Sequence, residues 1–109
     1  MTKKRVEYVD FTNLSDEAKC LANGLTLDAK GNAYVTDSHR PIIYKIDGQT
    51  NESSVFLKDK RFGGDDWNLN GITYHPKGYL IAIQMSKGIL FKIDLLTKQI
   101  SKIQLDENI

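Results

Sequence analysis

Asn23 and Asn70 are the residues whose type and spacing most readily suggest chemistry. They stand 47 positions apart, and each is followed by glycine, an apolar residue and threonine: Asn23-Gly24-Leu25-Thr26 and Asn70-Gly71-Ile72-Thr73. A carboxamide oxygen is a hard, neutral donor of the kind calcium takes alongside carboxylates. The same Asn-Gly pair is also an ordinary turn pair, since both residues tolerate positive φ. Downstream of Asn23 lies a second polar group, Asp37-Ser38-His39-Arg40, and downstream of Asn70 its counterpart, Gln84-Met85-Ser86-Lys87. Asp37 can hold a substrate or water, or simply accept backbone hydrogen bonds at a strand end. His39 and Arg40 can meet an anionic product at a substrate entrance, or form a solvated loop. Asp37, Ser38, His39, Arg40 and Gln84 are thus the candidates for a substrate entrance, and Asn23 and Asn70 the candidates for a metal.

Other chemistry-bearing residues have plainer readings. Asp65 and Asp66 could add carboxylates to a cation site, but a glycine-rich stretch, Arg61-Phe62-Gly63-Gly64-Asp65-Asp66-Trp67, makes a solvated lid the simpler expectation, with Trp67 packing the loop onto the fold. His75 precedes Pro76 in a turn and reads as structural. Cys20 has only Lys19 beside it to lower its pKa, so it reads as a small, buried or half-buried residue.

The elements that must position these residues are set by an internal repeat. Asn23–Asp47 aligns with Asn70–Asp94 without a gap, keeping Asn23/Asn70, Gly24/Gly71, Thr26/Thr73, Lys30/Lys77, Gly31/Gly78, Ile42/Ile89, Lys45/Lys92, Ile46/Ile93 and Asp47/Asp94 identical. Each copy reads as strands. Ala33–Thr36 and Leu80–Ile83 are short and rich in residues that favour a pleated, half-buried surface. Asp28-Ala29-Lys30-Gly31 and His75-Pro76-Lys77-Gly78 are four-residue turns ending in glycine, suited to a tight hairpin. Third strands fall at Ile42–Ile46 and Ile89–Ile93, and fourth, outer strands at about Ser53–Leu57 and Gln99–Leu105. Four short antiparallel strands recurring every 40 to 50 residues is the pattern of a β-propeller blade. Val6–Phe11 alternates apolar and polar residues and reads as an outer strand left from a preceding blade. Ser15–Leu21 has some helical character but is too short for a helix of its own.

The expected fold is therefore all-β: two four-stranded antiparallel blades plus one leading outer strand. The divisions are residues 1–21, 22–66 and 67–109. On a propeller, this strand order places Asn23 and Asn70 where the innermost strands begin, beside the central channel. It puts Asp37–Arg40 and Gln84–Lys87 on the same rim, under an overhanging Lys58–Leu69 loop, and the two Lys-Gly turns on the opposite rim.

The segments NGLTLDAKGNAYVTDS and LNGITYHPKGYLI resemble the senescence-marker-protein-30/gluconolactonase family of the calcium-dependent phosphotriesterase superfamily. That resemblance implies a six-bladed propeller and a divalent cation, usually calcium, in its channel. It implies that Asn23 and Asn70 are two of the cation's ligands, with a small lactone or ester as substrate. The family's glutamate and aspartate ligands have no match in this sequence, so the implied site is incomplete and the chain alone is expected to be inactive. Related NHL-repeat propellers use similar blade sequences as binding scaffolds without catalysis, and that is the alternative reading.

Composition bounds the rest. The chain has 109 residues, with 15 basic and 14 acidic side chains and a formal net charge of +1. Such a balance gives no electrostatic footprint for nucleic acid. No apolar run approaches the roughly 20 residues needed to span a bilayer. No apolar segment follows the basic N-terminus to make a signal, and the single cysteine forms no internal disulfide, so a reducing compartment, by default the cytoplasm, is expected. A six-bladed ring needs roughly 270 residues at about 45 per blade. The missing blades are expected from a longer chain or from self-association as a trimer; a small stand-alone β domain is the remaining possibility.

Overall fold

The computed structural model describes residues 22–63 and 68–104. The expected strand Val6–Phe11, the segment Ser15–Leu21 with Cys20, and Asp65, Asp66 and Trp67 lie outside the described residues.

Eight strands form two four-stranded antiparallel sheets, each in simple sequential order. The first holds β1 (Ala22–Leu27), β2 (Ala33–Asp37), β3 (Ile42–Ile46) and β4 (Ser53–Lys58). The second holds β5 (Gly71–His75), β6 (Tyr79–Gln84), β7 (Ile89–Asp94) and β8 (Ile100–Gln104). The two Lys-Gly turns behave as expected from their sequences. Gly31 N–H donates to Asp28 C=O at 3.1 Å and Gly78 N–H to His75 C=O at 2.8 Å. Both glycines sit at positive φ, 87° and 99°, a region where a side chain would be strained.

A further repeated device closes the third strands. Asp47 and Asp94 each take two backbone N–H groups on one oxygen, from Gln49 and Thr50 and from Leu96 and Thr97. Each turn ends on a non-glycine residue at positive φ, Asn51 at 63° and Lys98 at 62°. The identity of Asp47 and Asp94 in the repeat is thus explained by turn chemistry.

The main core lies between the sheets. Tyr34, Ile43 and Phe56 of the first sheet pack with Leu80, Ala82, Ile89, Phe91 and Ile93 of the second. Tyr34 meets Phe56 edge-on at 5.1 Å. Phe56 reaches this core because β4 carries a bulge there: Ile43 pairs with Leu57 but Tyr44 with Val55, leaving Phe56 as the extra residue. A smaller cluster, Val35, Ile42 and Tyr44, lies on the far face of the first sheet.

Of the connection from β4 to β5, expected as an overhanging loop over Lys58–Leu69, residues 58–63 and 68–69 are described. Lys58 ends β4, and Lys60–Phe62 forms a single 3₁₀ turn capped by the Asp59 side chain. Phe62 is fully buried and meets Phe91 edge-on at 5.2 Å, and Leu69 is fully buried as well. Burying a phenylalanine stabilises by about 1.5–3 kcal/mol, which offsets part of the backbone freedom that the described residues of this connection lose. A second 3₁₀ turn, Met85–Lys87, links β6 to β7.

Candidate functional site

The first strands of the two sheets run side by side and are stitched by threonine hydroxyls. Tyr74 N–H donates to Thr26 Oγ1 at 3.0 Å. Thr36 Oγ1 accepts from Gly24 N–H at 3.0 Å and donates to Asn70 C=O at 3.2 Å. Gly24 permits this approach, because a Cβ there would lie 2.8 Å from Thr36 Oγ1 and 2.9 Å from Asn70 O. This accounts for the glycine of the first Asn-Gly pair, which lets the two strands meet; at Gly71 a Cβ would meet only Ile83 Cδ1, at an ordinary 3.6 Å.

The asparagines stand together at the mouth of these strands. Asn23 Nδ2 donates to Asn70 Oδ1 at 2.9 Å and to Ser38 Oγ at 2.7 Å. Ser38 Oγ in turn donates to the buried Leu69 C=O at 3.1 Å. Both protons of the Asn23 amide are therefore directed to acceptors, which fixes its flip and leaves Oδ1 without a hydrogen bond among the described residues. Asn70 keeps a second lone pair on Oδ1, while its Nδ2 faces the exposed Met85 sulfur at 3.0 Å. Asn23 is aimed by a β-bulge: Ala22 pairs with Asp37 and Gly24 with Thr36, so Asn23 is the unpaired extra residue of β1. Bulges of this kind turn a side chain out of the ladder.

The remaining residues expected at an entrance are placed differently. Asp37 is fully buried and belongs to the first sheet's interior. Its carboxylate accepts from His39 N–H at 2.7 Å, Arg40 N–H at 3.0 Å and the Tyr44 hydroxyl at 2.6 Å. Arg40 is buried too, with Nη1 3.3 Å from the Tyr44 hydroxyl. Gln84 is fully buried and donates to Phe62 C=O at 3.1 Å, tying the β4–β5 connection to β6. Ser38 is buried and orients Asn23. Asp37, Arg40 and Gln84, expected at an entrance, are buried, and each satisfies polar groups that folding removes from water. His39 stays half-buried beside them.

The asparagine pair is a donor set without charge. Among the described residues, no group of three or more His, Cys, Asp or Glu side chains could hold a metal ion. Calcium takes about 6 to 8 oxygens, usually with carboxylates among them. The pair fits as two members of a larger ligand set and not as a site by itself. Among the described residues no helix is long and apolar enough to cross a membrane.

No protein-family model matches the chain, and no curated protein matches it. Solved structures do. The selenomethionine form of virginiamycin B lyase from Staphylococcus aureus superposes with a TM-score of 0.62 at 15% identity, over 77% of this chain and 27% of that one. A catalytically inactive variant of the same lyase, with quinupristin, gives 0.67 at 17% identity, over 89% of this chain and 30% of that one. A chain of a mitotic checkpoint complex gives 0.58 at 10% identity, over 96% and 34%. The chain thus spans about a third or less of the length of these neighbours. At such identities the likeness shows the fold. Two stacked four-stranded antiparallel sheets, superposing on part of larger β-propellers, are two consecutive blades of a β-propeller.

Proposed function

We propose that these two blades contribute to a small-molecule hydrolase of the senescence-marker-protein-30/gluconolactonase kind, acting on a lactone or ester at the channel end where Asn23 and Asn70 meet. The observation that carries this reading is the contact between the two side-chain amides, 47 residues apart in sequence and 2.9 Å apart in space. Amides placed together by a bulge, a serine anchor and a close strand approach are better suited to grasping a ligand than two independent turn residues would be. A divalent cation, calcium by class, would be held in part by Oδ1 of Asn23 and Oδ1 of Asn70, with its carboxylate ligands supplied by other blades. When bound it would act as a Lewis acid toward a carbonyl. Within this chain, Asn23 and Asn70 orient, and Ser38 holds Asn23 in register.

The alternative, a non-catalytic scaffold of the NHL kind, is favoured by one observation. Asp37, the carboxylate nearest in sequence order to the expected rim, is occupied by the protein's own donors. A titration with Mn²⁺ separates the two readings, since this paramagnetic ion prefers oxygen ligands and reports weak binding through line broadening. On the hydrolase reading, the side-chain amide signals of Asn23 and Asn70 broaden first, and Asn23→Ala removes the effect at Asn70. Uniform broadening, or broadening centred elsewhere, would leave the scaffold.

A further inference from the structure

The opposite rim carries a feature that the asparagine pair does not use. A groove of about 340 Å³ runs between the blades there, bordered by the two Lys-Gly turns and the β7–β8 turn. That volume falls at the lower end of small-molecule sites. Lys30, Lys45 and Lys77 line it, with Tyr34, Tyr74 and Leu95 as its less polar wall. Lys30 and Lys77 are equivalent in the repeat, so each blade sends one lysine to the groove from the same turn position.

The carboxylates nearby are turned to other work. Asp28, in the groove lining, accepts from the N–H groups of Lys30 and Asn32, from Asn32 Nδ2 and from the Tyr34 hydroxyl. Asp94 accepts from the N–H groups of Leu96 and Thr97. Asp47, whose charge reaches Lys45, accepts from Gln49 and Thr50. Among the described residues, none of the three lysines makes a salt bridge or donates a side-chain hydrogen bond. The corresponding place on the outer face of the second blade is filled differently. There His75 stacks on Tyr79 at 4.6 Å and Lys92 lies over the Tyr79 ring at 4.4 Å.

We propose that this inter-blade groove binds a small organic phosphate monoester, its dianion met by Lys30, Lys45 and Lys77 and its organic part lying against Tyr74 and Leu95. Lysine serves here as a mobile point charge for phosphate, and the three lysines lining the groove outnumber the two carboxylates that line it, Asp28 and Asp94. The groove is independent of the asparagine pair.

The test is a titration of the full chain with phenyl phosphate at constant ionic strength, read from backbone amide shifts in a two-dimensional NMR spectrum. Saturable shifts are expected at Lys30, Gly78 and Leu95. Lys45→Gln and Lys77→Gln should each bind about tenfold more weakly, as for one charge-assisted hydrogen bond. Lys45→Arg should restore most of the affinity, which separates lost charge from lost fold. Lys102→Gln, an equal change of net charge on β8, should bind as the unaltered chain does. Linear, unsaturated shifts would overturn the proposal, and so would equal weakening by Lys102→Gln. Inorganic phosphate binding as tightly as phenyl phosphate would overturn the role given to the tyrosine wall.

Discussion

Thr36 shows how much a single hydroxyl can settle where two blades meet. It takes Gly24 N–H from its own sheet and gives its proton to Asn70 C=O of the next. Valine has nearly the same shape but can do neither. Thr36→Val should therefore destabilise by about 1–3 kcal/mol, the cost of leaving polar backbone groups unsatisfied. Thr26→Val, which removes the acceptor of one N–H, should cost less. Urea unfolding checks the order, and equal effects would mean that the blades are not joined through Thr36. Gly24→Ala belongs to the same contact. The added methyl would press on Thr36 Oγ1 and Asn70 O at under 3 Å, and part of that obstacle is backbone. A loss of about 1–3 kcal/mol is expected, as for other overpacked sites.

At the same scale, the sequence shows that Asn23 and Asn70 are equivalent positions but not that Asp37 is buried. The asparagines were legible because the repeat puts them at equivalent points of equivalent strands. Asp37 looks like a rim residue, since the chain turns just after it. Its decisive partner is Tyr44, which pairing with Val35 brings back over the sheet. No local pattern shows that a carboxylate at a strand end will be met by a phenol from the following strand. Gln84 is similar: its acceptor, Phe62 C=O, comes from a connection whose glycines suggested solvent.

Strands and turns were the most legible level, because each of them is set by neighbours in the chain. Alternation, tight-turn residues and the 47-residue offset located every described strand to within a few residues. What the offset could not show is where the copies depart from each other. β1 carries a bulge at Asn23 and β4 one at Phe56, whereas no register shift interrupts the ladders of the second sheet. A bulge adds one residue to one strand and is decided by packing across the sheets.

The turns also make an element-level prediction about pH. Hydrogen bonds from Gln49 and Thr50 hold the Asp47 carboxyl below its usual range, and those from Thr97 and Leu96 do the same for Asp94. Burial pushes Asp28 upward, but hydrogen bonds from Asn32, Tyr34 and Lys30 outweigh it, so its carboxyl is lowered as well. A carboxyl whose pKa is lower folded than unfolded binds fewer protons in the folded state. Its stabilisation is complete above the unfolded value of about 3.9 and is lost as pH falls through the folded value. Acid should therefore destabilise the chain below about pH 4 through these three groups. Asp47→Asn and Asp94→Asn together should make the fall in thermal midpoint between pH 5 and pH 2 shallower. An unchanged slope would locate acid sensitivity elsewhere.

At the scale of the whole molecule, the two blades leave apolar rows on their outer faces. On the first blade, Thr26 points toward the second, so Leu25 and Leu27 point away, 60% and 56% exposed. Leu25 pairs across to Val35, Val35 to Tyr44 and Tyr44 to Val55, a row exposed at Leu25 and Val55 while Val35 and Tyr44 within it are buried. On the second blade, Leu80 and Ala82 face the shared core, so Ile83 faces outward and continues through Leu90 to Ile103, which is 48% exposed. One row is the front of a blade and the other the back. Joining them between molecules would repeat the relation the two blades already have, a head-to-tail contact that closes into a ring or grows open-ended. Copies of the chain are one candidate cover for the exposed members, Leu25, Leu27 and Ile103. Light scattering should then report a mass above 12.4 kDa, near three times that value for a closed ring of six blades. Leu25→Glu should lower the mass toward the monomer by placing a charge on the front row, and Leu90→Glu should do the same from the back. Far-ultraviolet circular dichroism should still show strands in both variants. If the unaltered chain is a monodisperse monomer, copies of it do not cover these rows. If either glutamate leaves a multimer intact, the contact lies on some other surface and the front-to-back arrangement is wrong.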